Sequence, residues 1–133
     1  MYYSFPPIVG WGPSNRLDRA RITQLLEETI AQGSRLKWTV YYEDEKKLNP
    51  TIDQLVADLD YLKTWFAWHE SWAHKDSKPV IFIWNESDCN VADRWVDAAN
   101  KAGWYIVLKI FSGFEDCKNQ PNSWHQYVST CIT

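Results

Sequence analysis

Polar and aromatic side chains stand at the ends of four short apolar runs of the sequence. Glu43 and Glu86 are the strongest catalytic candidates, because hydrolysis of a glycosidic bond needs two carboxylates, one as acid and one as base or nucleophile. Both follow predicted neighbouring strands, so we expect them to face one pocket. The further positions that we predict to bind a substrate there are Trp11, Tyr42, Asp44, Trp84, Asn85, Asp88 and Lys109.

These charged candidates also have a structural interpretation. Glu43 and Asp44 are followed by Lys46 and Lys47, as in a solvated loop. Asp88 is placed to cap the next helix through a side-chain oxygen. Lys109 ends an apolar strand, where a buried ammonium needs a partner, and a strand-end carboxylate such as Glu86 would supply it.

The chain is rich in aromatic residues, with nine Trp, seven Tyr and five Phe among 133 residues. Most such rings pack in protein cores, where they bury large apolar areas. At the mouth of a pocket, the same rings stack on sugars. We expect Trp11 and Trp84 to be sugar platforms, and Trp65, Trp68 and Trp72, on a predicted helix, to be packing or interface rings.

Other chemistries find no support in the sequence. His69 and His74 are five residues apart, which is not the spacing of a metal pair, and the chain lacks the glycine-rich, GxSxG and HExxH motifs. We therefore predict no cofactor and no metal.

The net charge of −3 gives no reason to expect a nucleic-acid partner, and no apolar run is long enough for a membrane span. The N-terminus does not resemble a signal peptide.

The strand ends matter only if the right elements position them. Four apolar runs, each followed by a helical pattern, predict the strands: residues 7–11, 36–42, 80–84 and 104–111. Gly33 is predicted to stop the first helix, Thr51 and Gln54 to form a capping box at the second, and Asn90 and Gly103 to bound the third. A fourth, shorter helix is predicted to hold Trp124, His125, Tyr127 and Val128.

This alternation predicts an α/β fold with a parallel sheet in a single domain, residues 1–133. Two architectures fit it: a small doubly wound sheet, with helices on both faces, or a parallel (βα)4 half barrel, with all helices on one face. We favour the half barrel, which is TIM-barrel-like and about half of the roughly 250 residues of a complete barrel. Its open strand edges favour pairing with a second copy, so we expect a homodimer.

Several segments resemble glycoside hydrolase family 99-like barrels of secreted bacterial proteins. The segments that carry the resemblance, in order, are residues 9–13, 36–45, 78–84, 93–95, 104–111 and 120–127. The resemblance implies a β/α barrel acting on glycosidic bonds of polysaccharides or glycans, with a carbohydrate as partner and a secreted origin. It also implies a Cys89–Cys117 disulfide, because relatives place cysteines near both positions. From the cysteine count alone, one bridge with a free thiol and three reduced thiols are both open.

The chain departs from that family in two respects. The family's first strand is replaced by residues 1–7, and its C-terminal half, with an acidic Asn-Glu-Trp type of motif, has no counterpart in the sequence. Glu43 and Glu86 are therefore proposed from strand-end position, not from the family's motif. Two main functions remain: a glycoside hydrolase-like enzyme, and a non-catalytic carbohydrate-binding or structural module.

Overall fold

Strands and helices alternate along the part of the chain that the computed structural model describes, residues 8–12, 19–43 and 48–126. The strands are β1 (Ile8–Trp11), β2 (Thr39–Tyr42), β3 (His74–Lys75), β4 (Lys78–Ile83), β5 (Tyr105–Lys109) and β6 (Ser123–His125). The helices are α1 (Arg19–Ala31), α2 (Ile52–Leu62), which continues as a π-helical turn over Lys63–Ala67, α3 (Cys89–Ala102) and a 3-10 turn over Phe114–Asp116.

Five of the strands form a parallel sheet in the order β1-β2-β4-β5-β6. The short β3 pairs antiparallel with the start of β4 across a two-residue turn at Asp76 and Ser77, both with positive φ, as such tight hairpins require. The strands of the parallel sheet follow one another in chain order. The α/β class and the parallel sheet are thus confirmed, while closure into a barrel is not shown.

One face of the sheet, here called the back face, carries every α-helix that the structure describes. Its side chains form one core with α1, α2 and α3, whose inward residues include Leu26, Leu59 and Trp95. The back-face residues of the strands in this core are Trp11, Val40, Tyr42, Ile81, Ile83, Ile106, Leu108 and Trp124. The three described helices thus pack on a single face of the sheet.

The helix boundaries follow local chemistry. Thr51 and Gln54 form the predicted capping box, with Gln54 N donating to Thr51 Oγ1 and Thr51 N donating to Gln54 Oε1. Gly33 and Gly103 follow α1 and α3 with φ of 68° and 75°, the left-handed conformation that glycine adopts without strain. The cap of α3 was predicted at Asn90, but Asp88 is the N-cap, accepting from Asn90 N at 2.8 Å.

The predicted fourth helix is wrong at its start. Trp124 lies in β6, which pairs with β5 through Leu108↔Trp124 and Lys109↔His125. The spacing of Trp124, Tyr127 and Val128 suggested a helix, but Ser123, Trp124 and His125 alternate between the two faces of the sheet, as a strand requires. Tyr127 and Val128 lie outside the described residues.

Candidate functional site

The face opposite the helices, here called the front face, is lined by a second cluster of strand side chains. That cluster contains Tyr41, Ala73, Val80, Phe82, Tyr105 and Val107, with Trp84 packed against it. Because side chains alternate along a strand, the positions two residues after Tyr41, Phe82 and Val107 return to the front face at the carboxyl ends of the strands. The resulting row is Glu43, Trp84, Lys109 and His125, and it is here called the front-edge row.

Glu43 occupies space that a glycine leaves open. Its backbone N–H donates to Trp11 O at 3.0 Å, which continues the ladder one residue beyond β2. Its carboxylate lies over Gly10 of the neighbouring strand, where a Cβ would stand 2.7 Å from Oε1 of Glu43. Glycine is thus the residue at this position that leaves room for the carboxylate to approach the backbone. The side chain of Glu43 remains exposed to solvent.

Lys109 and Trp84 lie side by side on adjacent strands. The Nζ of Lys109 is 5.8 Å from the centroid of the Trp84 ring, within the range of a cation–π contact. Both side chains are half-buried, so a polar and an aromatic group remain accessible together. Lys109 therefore meets an aromatic ring on this face, while Glu86, its expected partner, lies with it on the wall of one cleft.

That cleft is open and has a volume of about 410 Å³. Its lining residues are Trp84, Asn85, Glu86, Ser87, Asp88 and Lys109. Five of the nine predicted site residues are thus brought together here: Trp84, Asn85, Glu86, Asp88 and Lys109. Glu43 belongs to the adjoining part of the front-edge row, since Trp84 N donates to Tyr42 O at 3.0 Å and places the two strand ends next to each other.

Two of the cleft residues form hydrogen bonds that hold backbone groups of the fold in place. The buried Asn85 clamps the end of β4 to β5, accepting from Lys109 N at 2.6 Å and donating to Lys109 O at 3.2 Å. Asp88 caps α3. Both interactions use backbone groups at the rim of the cleft, so these residues shape its wall. Glu86 is exposed beside them.

Trp11 and Tyr42 lie on the back face, away from the cleft. Trp11 is 2% exposed and stacks on Tyr61, while Tyr42 is fully buried and donates from its hydroxyl to Asp58 Oδ2 at 2.8 Å. Successive side chains of a strand point to opposite faces. Trp11 directly follows Gly10 and Tyr42 directly follows Tyr41, which are front-face positions, so both rings point to the back face. Asp44 lies outside the described residues.

Two front-face residues that the sequence did not single out for chemistry are His125 and Tyr41. The Nε2 of His125 lies 3.1 Å from Ile83 O and 3.4 Å from the Tyr41 hydroxyl, and the rings meet edge to face. Burial lowers the pKa of His125 from its ordinary 6.5; bonds with the backbone of Ile83 and Gln126 partly oppose this, and Lys109 adds to it. The imidazole is therefore neutral at pH 7. Only the pairing of β6 with β5 places His125 on this face, because three residues are too few to show an alternation in the sequence.

A disulfide lies next to the loop that lines the cleft. Cys89, the first residue of α3, is bonded to Cys117, which directly follows the 3-10 turn. This pairing is the one that the family resemblance implies. Since Cys89 follows Asp88 in the chain, the bridge ties the cleft-lining loop after β4 to the loop after β5. Cys131 lies outside the described residues.

Within residues 8–12, 19–43 and 48–126, no group of three or more His, Cys, Asp or Glu side chains is arranged to hold a metal ion. Nor is any helix of those ranges long and apolar enough to cross a bilayer. The described side chains at the front edge and in its cleft supply carboxylates, an ammonium, an imidazole and aromatic rings.

Comparison of the chain with models of protein families, with curated proteins and with solved structures finds no match. The resemblance to family 99-like glycoside hydrolases therefore remains a prediction from the sequence. What the chain does has to be inferred from the residues gathered at the front edge of the sheet.

Proposed function

We propose that this protein is glycoside hydrolase-like and acts on glycosidic bonds of a polysaccharide or glycan at the front edge of its sheet. The observation that carries the proposal is the register of the strands, which brings Glu43, Trp84 and Lys109 to one face at their carboxyl ends. In parallel β/α folds, ligands bind at that end of the strands.

Substrate binding rests on Trp84 and Lys109. The indole presents an electron-rich face to the partly positive C–H groups of a sugar ring. The ammonium of Lys109, beside that ring, donates to sugar hydroxyls. An aromatic platform with an adjacent hydrogen-bond donor is suited to an uncharged, hydroxyl-rich ligand, which needs both a flat apolar contact and a partner for each buried hydroxyl.

Hydrolysis assigns the two exposed carboxyl groups, Glu43 and Glu86, to the two roles of a glycosidase. The protonated one gives its proton to the glycosidic oxygen as the C–O bond breaks. The ionised one either activates water or attacks the anomeric carbon. The contact with Gly10 restricts the carboxylate of Glu43, and Glu86 lines the cleft together with Trp84 and Asn85.

An activity screen with matched variants tests the enzymatic proposal. We expect the wild-type chain to hydrolyse at least one of a panel of chromogenic glycosides and dyed polysaccharides. Glu43→Gln and Glu86→Gln each lower kcat by about 10²–10⁴-fold, because each removes an acid–base group. Glu70→Gln, an exposed carboxylate outside the cleft, is the control and leaves kcat unchanged. Full activity in both front-edge variants would remove them from the mechanism.

A second candidate function is glycan binding without turnover. It is favoured by the hydrogen bonds of Asn85 and Asp88, which use the polar groups of two cleft residues to hold the backbone of β5 and the start of α3. Calorimetry with oligosaccharides distinguishes the candidates. A binding module gives heat that Trp84→Ala abolishes, and no reducing ends appear after prolonged incubation.

We also propose that the sheet is completed by a second copy of the chain. Among the described residues, β1 pairs only with β2 and β6 only with β5, so each outer strand has one side on which a further strand fits. The chain-order sheet with helices on one face is the geometry of part of a β/α barrel. Light scattering across micromolar concentrations is expected to give the mass of a dimer, and a monomer throughout would contradict this.

A further inference from the structure

A second aromatic surface lies on the helical side of the molecule, away from the front edge. Trp65 and Trp68 are 44% and 69% exposed, although other rings of the same segment, Phe66 and Trp72, are buried in the core. Trp65 lies on the π-helical turn that ends α2 and Trp68 follows it directly. Widened turns of this kind are frequently found at functional sites.

These two rings form one wall of a groove of about 540 Å³ between α1 and the π-helical turn. The lining residues are Arg19, Ala20, Thr23, Gln24, Glu27, Thr64, Trp65 and Trp68. The volume falls within the roughly 300–1,000 Å³ of clefts that hold small ligands. From Ala20 to Glu27 the groove follows two turns of α1, about 10 Å, which is the scale of a short oligosaccharide and not of a folded partner.

The two rings differ in what already covers them. The guanidinium of Arg19 lies 3.9 Å from the Trp65 ring centroid, and Tyr61 contacts the same indole with centroids 6.5 Å apart. Trp65 is thereby held in place. Trp68 meets the ring of His69 at 5.4 Å and is otherwise the more open of the two. In this groove the ring of Trp65 is therefore fixed by its neighbours, and the ring of Trp68 is the more accessible one.

We propose that this groove binds a glycan chain through Trp68, independently of the front-edge cleft. The opposite wall, on α1, carries hydroxyl, amide and carboxylate groups at Thr23, Gln24 and Glu27, which match the donors and acceptors of sugar hydroxyls. An indole face with polar groups across a narrow groove suits a sugar ring, which is apolar on its faces and polar around its rim. A protein partner would need about 800 Å² of buried surface on this chain, whereas this groove spans two turns of α1 and two exposed rings.

Affinity electrophoresis tests the groove. Native gels contain hydroxyethylcellulose, xylan, galactomannan or laminarin. The acidic chain should be retarded by at least one of them. We expect Trp68→Ala to weaken that retardation by about fivefold in apparent Kd and Trp68→Phe to retain most of it, because a flat ring remains. Near-UV circular dichroism checks that both variants fold, as exposed substitutions should.

Trp84→Ala, in the front-edge cleft, is the matched control. A loss in Trp68→Ala supports the groove, with or without an effect of Trp84→Ala. Retardation that depends on Trp84 and is unaffected by Trp68→Ala would overturn the groove and leave the front-edge proposal standing. Absence of retardation by all four polysaccharides would also overturn the groove proposal. So would a dimer, detected by light scattering, that Trp68→Ala dissociates, because the groove would then be occupied by a second copy of the chain.

Discussion

The two faces of the central sheet use aromatic residues for different purposes. On the back face, Trp11 and Trp95 are buried among helices and hold the layers together. On the front face, Trp84 is half-buried beside Lys109 at the strand ends. Residues that are neighbours in sequence lie on different faces: Tyr42 and Leu108 belong to the back face, while Glu43 and Lys109, which follow them, belong to the front face. The comparison shows that one step along a strand separates a core residue from a candidate site residue.

The largest expected contrast is in stability between the tryptophans of the two faces. Trp95→Ala leaves a large void between α3 and the sheet and is expected to lower the free energy of unfolding by about 3–5 kcal/mol. Trp84→Ala removes a half-buried ring and is expected to cost about 1–2 kcal/mol. Urea unfolding followed by far-UV circular dichroism measures both. Equal losses would contradict the division between a buried core on the back face and accessible rings at the front edge.

The disulfide gives a second, smaller contrast, because it ties the loops after β4 and β5 together at the edge of the core, where Cys117 is buried. Cys89 and Cys117 are 28 residues apart, and opening a loop of that length is expected to lower the free energy of unfolding by about 2–4 kcal/mol. The measurement is urea unfolding of Cys89→Ser/Cys117→Ser against wild type. An unchanged urea midpoint would show that the bridge does not constrain the loops around the cleft.

The pH dependence of stability tests the buried His125. Since the folded pKa of His125 is lowered, the unfolded chain binds a proton first as pH falls, and stability present above pH 6.5 is lost below it. The slope contributed is at most about 1.4 kcal/mol per pH unit. The difference between the unfolding midpoints at pH 7.5 and pH 5.5 should be smaller in His125→Gln than in the wild type. His74→Gln, an exposed control, should keep the wild-type difference.

The smallest expected effect on stability is that of Gly10→Ala, whose consequence is instead local. The new methyl group would overlap the Glu43 carboxylate, the far end of a flexible side chain, and a substitution at such an exposed position is expected to cost about 0.5 kcal/mol. The displaced carboxylate is expected to lower glycosidase activity about tenfold or more. In a Glu43→Gln background the same substitution should have no further effect. A loss equally large in both backgrounds would show that Gly10 acts through something other than Glu43.

The sequence was most informative where a pattern is local. Gly33, Gly103 and the Thr51 capping box bound the helices as predicted, because caps depend on a few neighbouring residues. Continuous apolar runs predicted the strands of a parallel sheet. They could not assign faces, because a strand buried on both sides shows no polar alternation from which the inward residues can be read.

The positions that the sequence assigned wrongly depend on how strands pair with each other. Trp11 and Tyr42 stand next to the strand ends, but they point to the back face, and only the register with neighbouring strands reveals it. His125 was placed on a helix because three residues of β6 are too few to display a period of two against the helical spacing that follows. Long-range pairing, which no local window contains, decides both.

The most direct test of the front-edge site follows the indole N–H signals of the tryptophans by NMR while oligosaccharides are added. The ligands are cello-, xylo-, manno- and laminari-oligosaccharides, added to a Glu43→Gln/Glu86→Gln chain so that no hydrolysis occurs, with the Trp84 signal assigned by Trp84→Phe. We predict that the Trp84 signal shifts with at least one ligand, while the signals of the buried Trp11 and Trp95 stay in place. A Trp84 signal that none of the four ligands shifts would contradict a glycan site at the front edge.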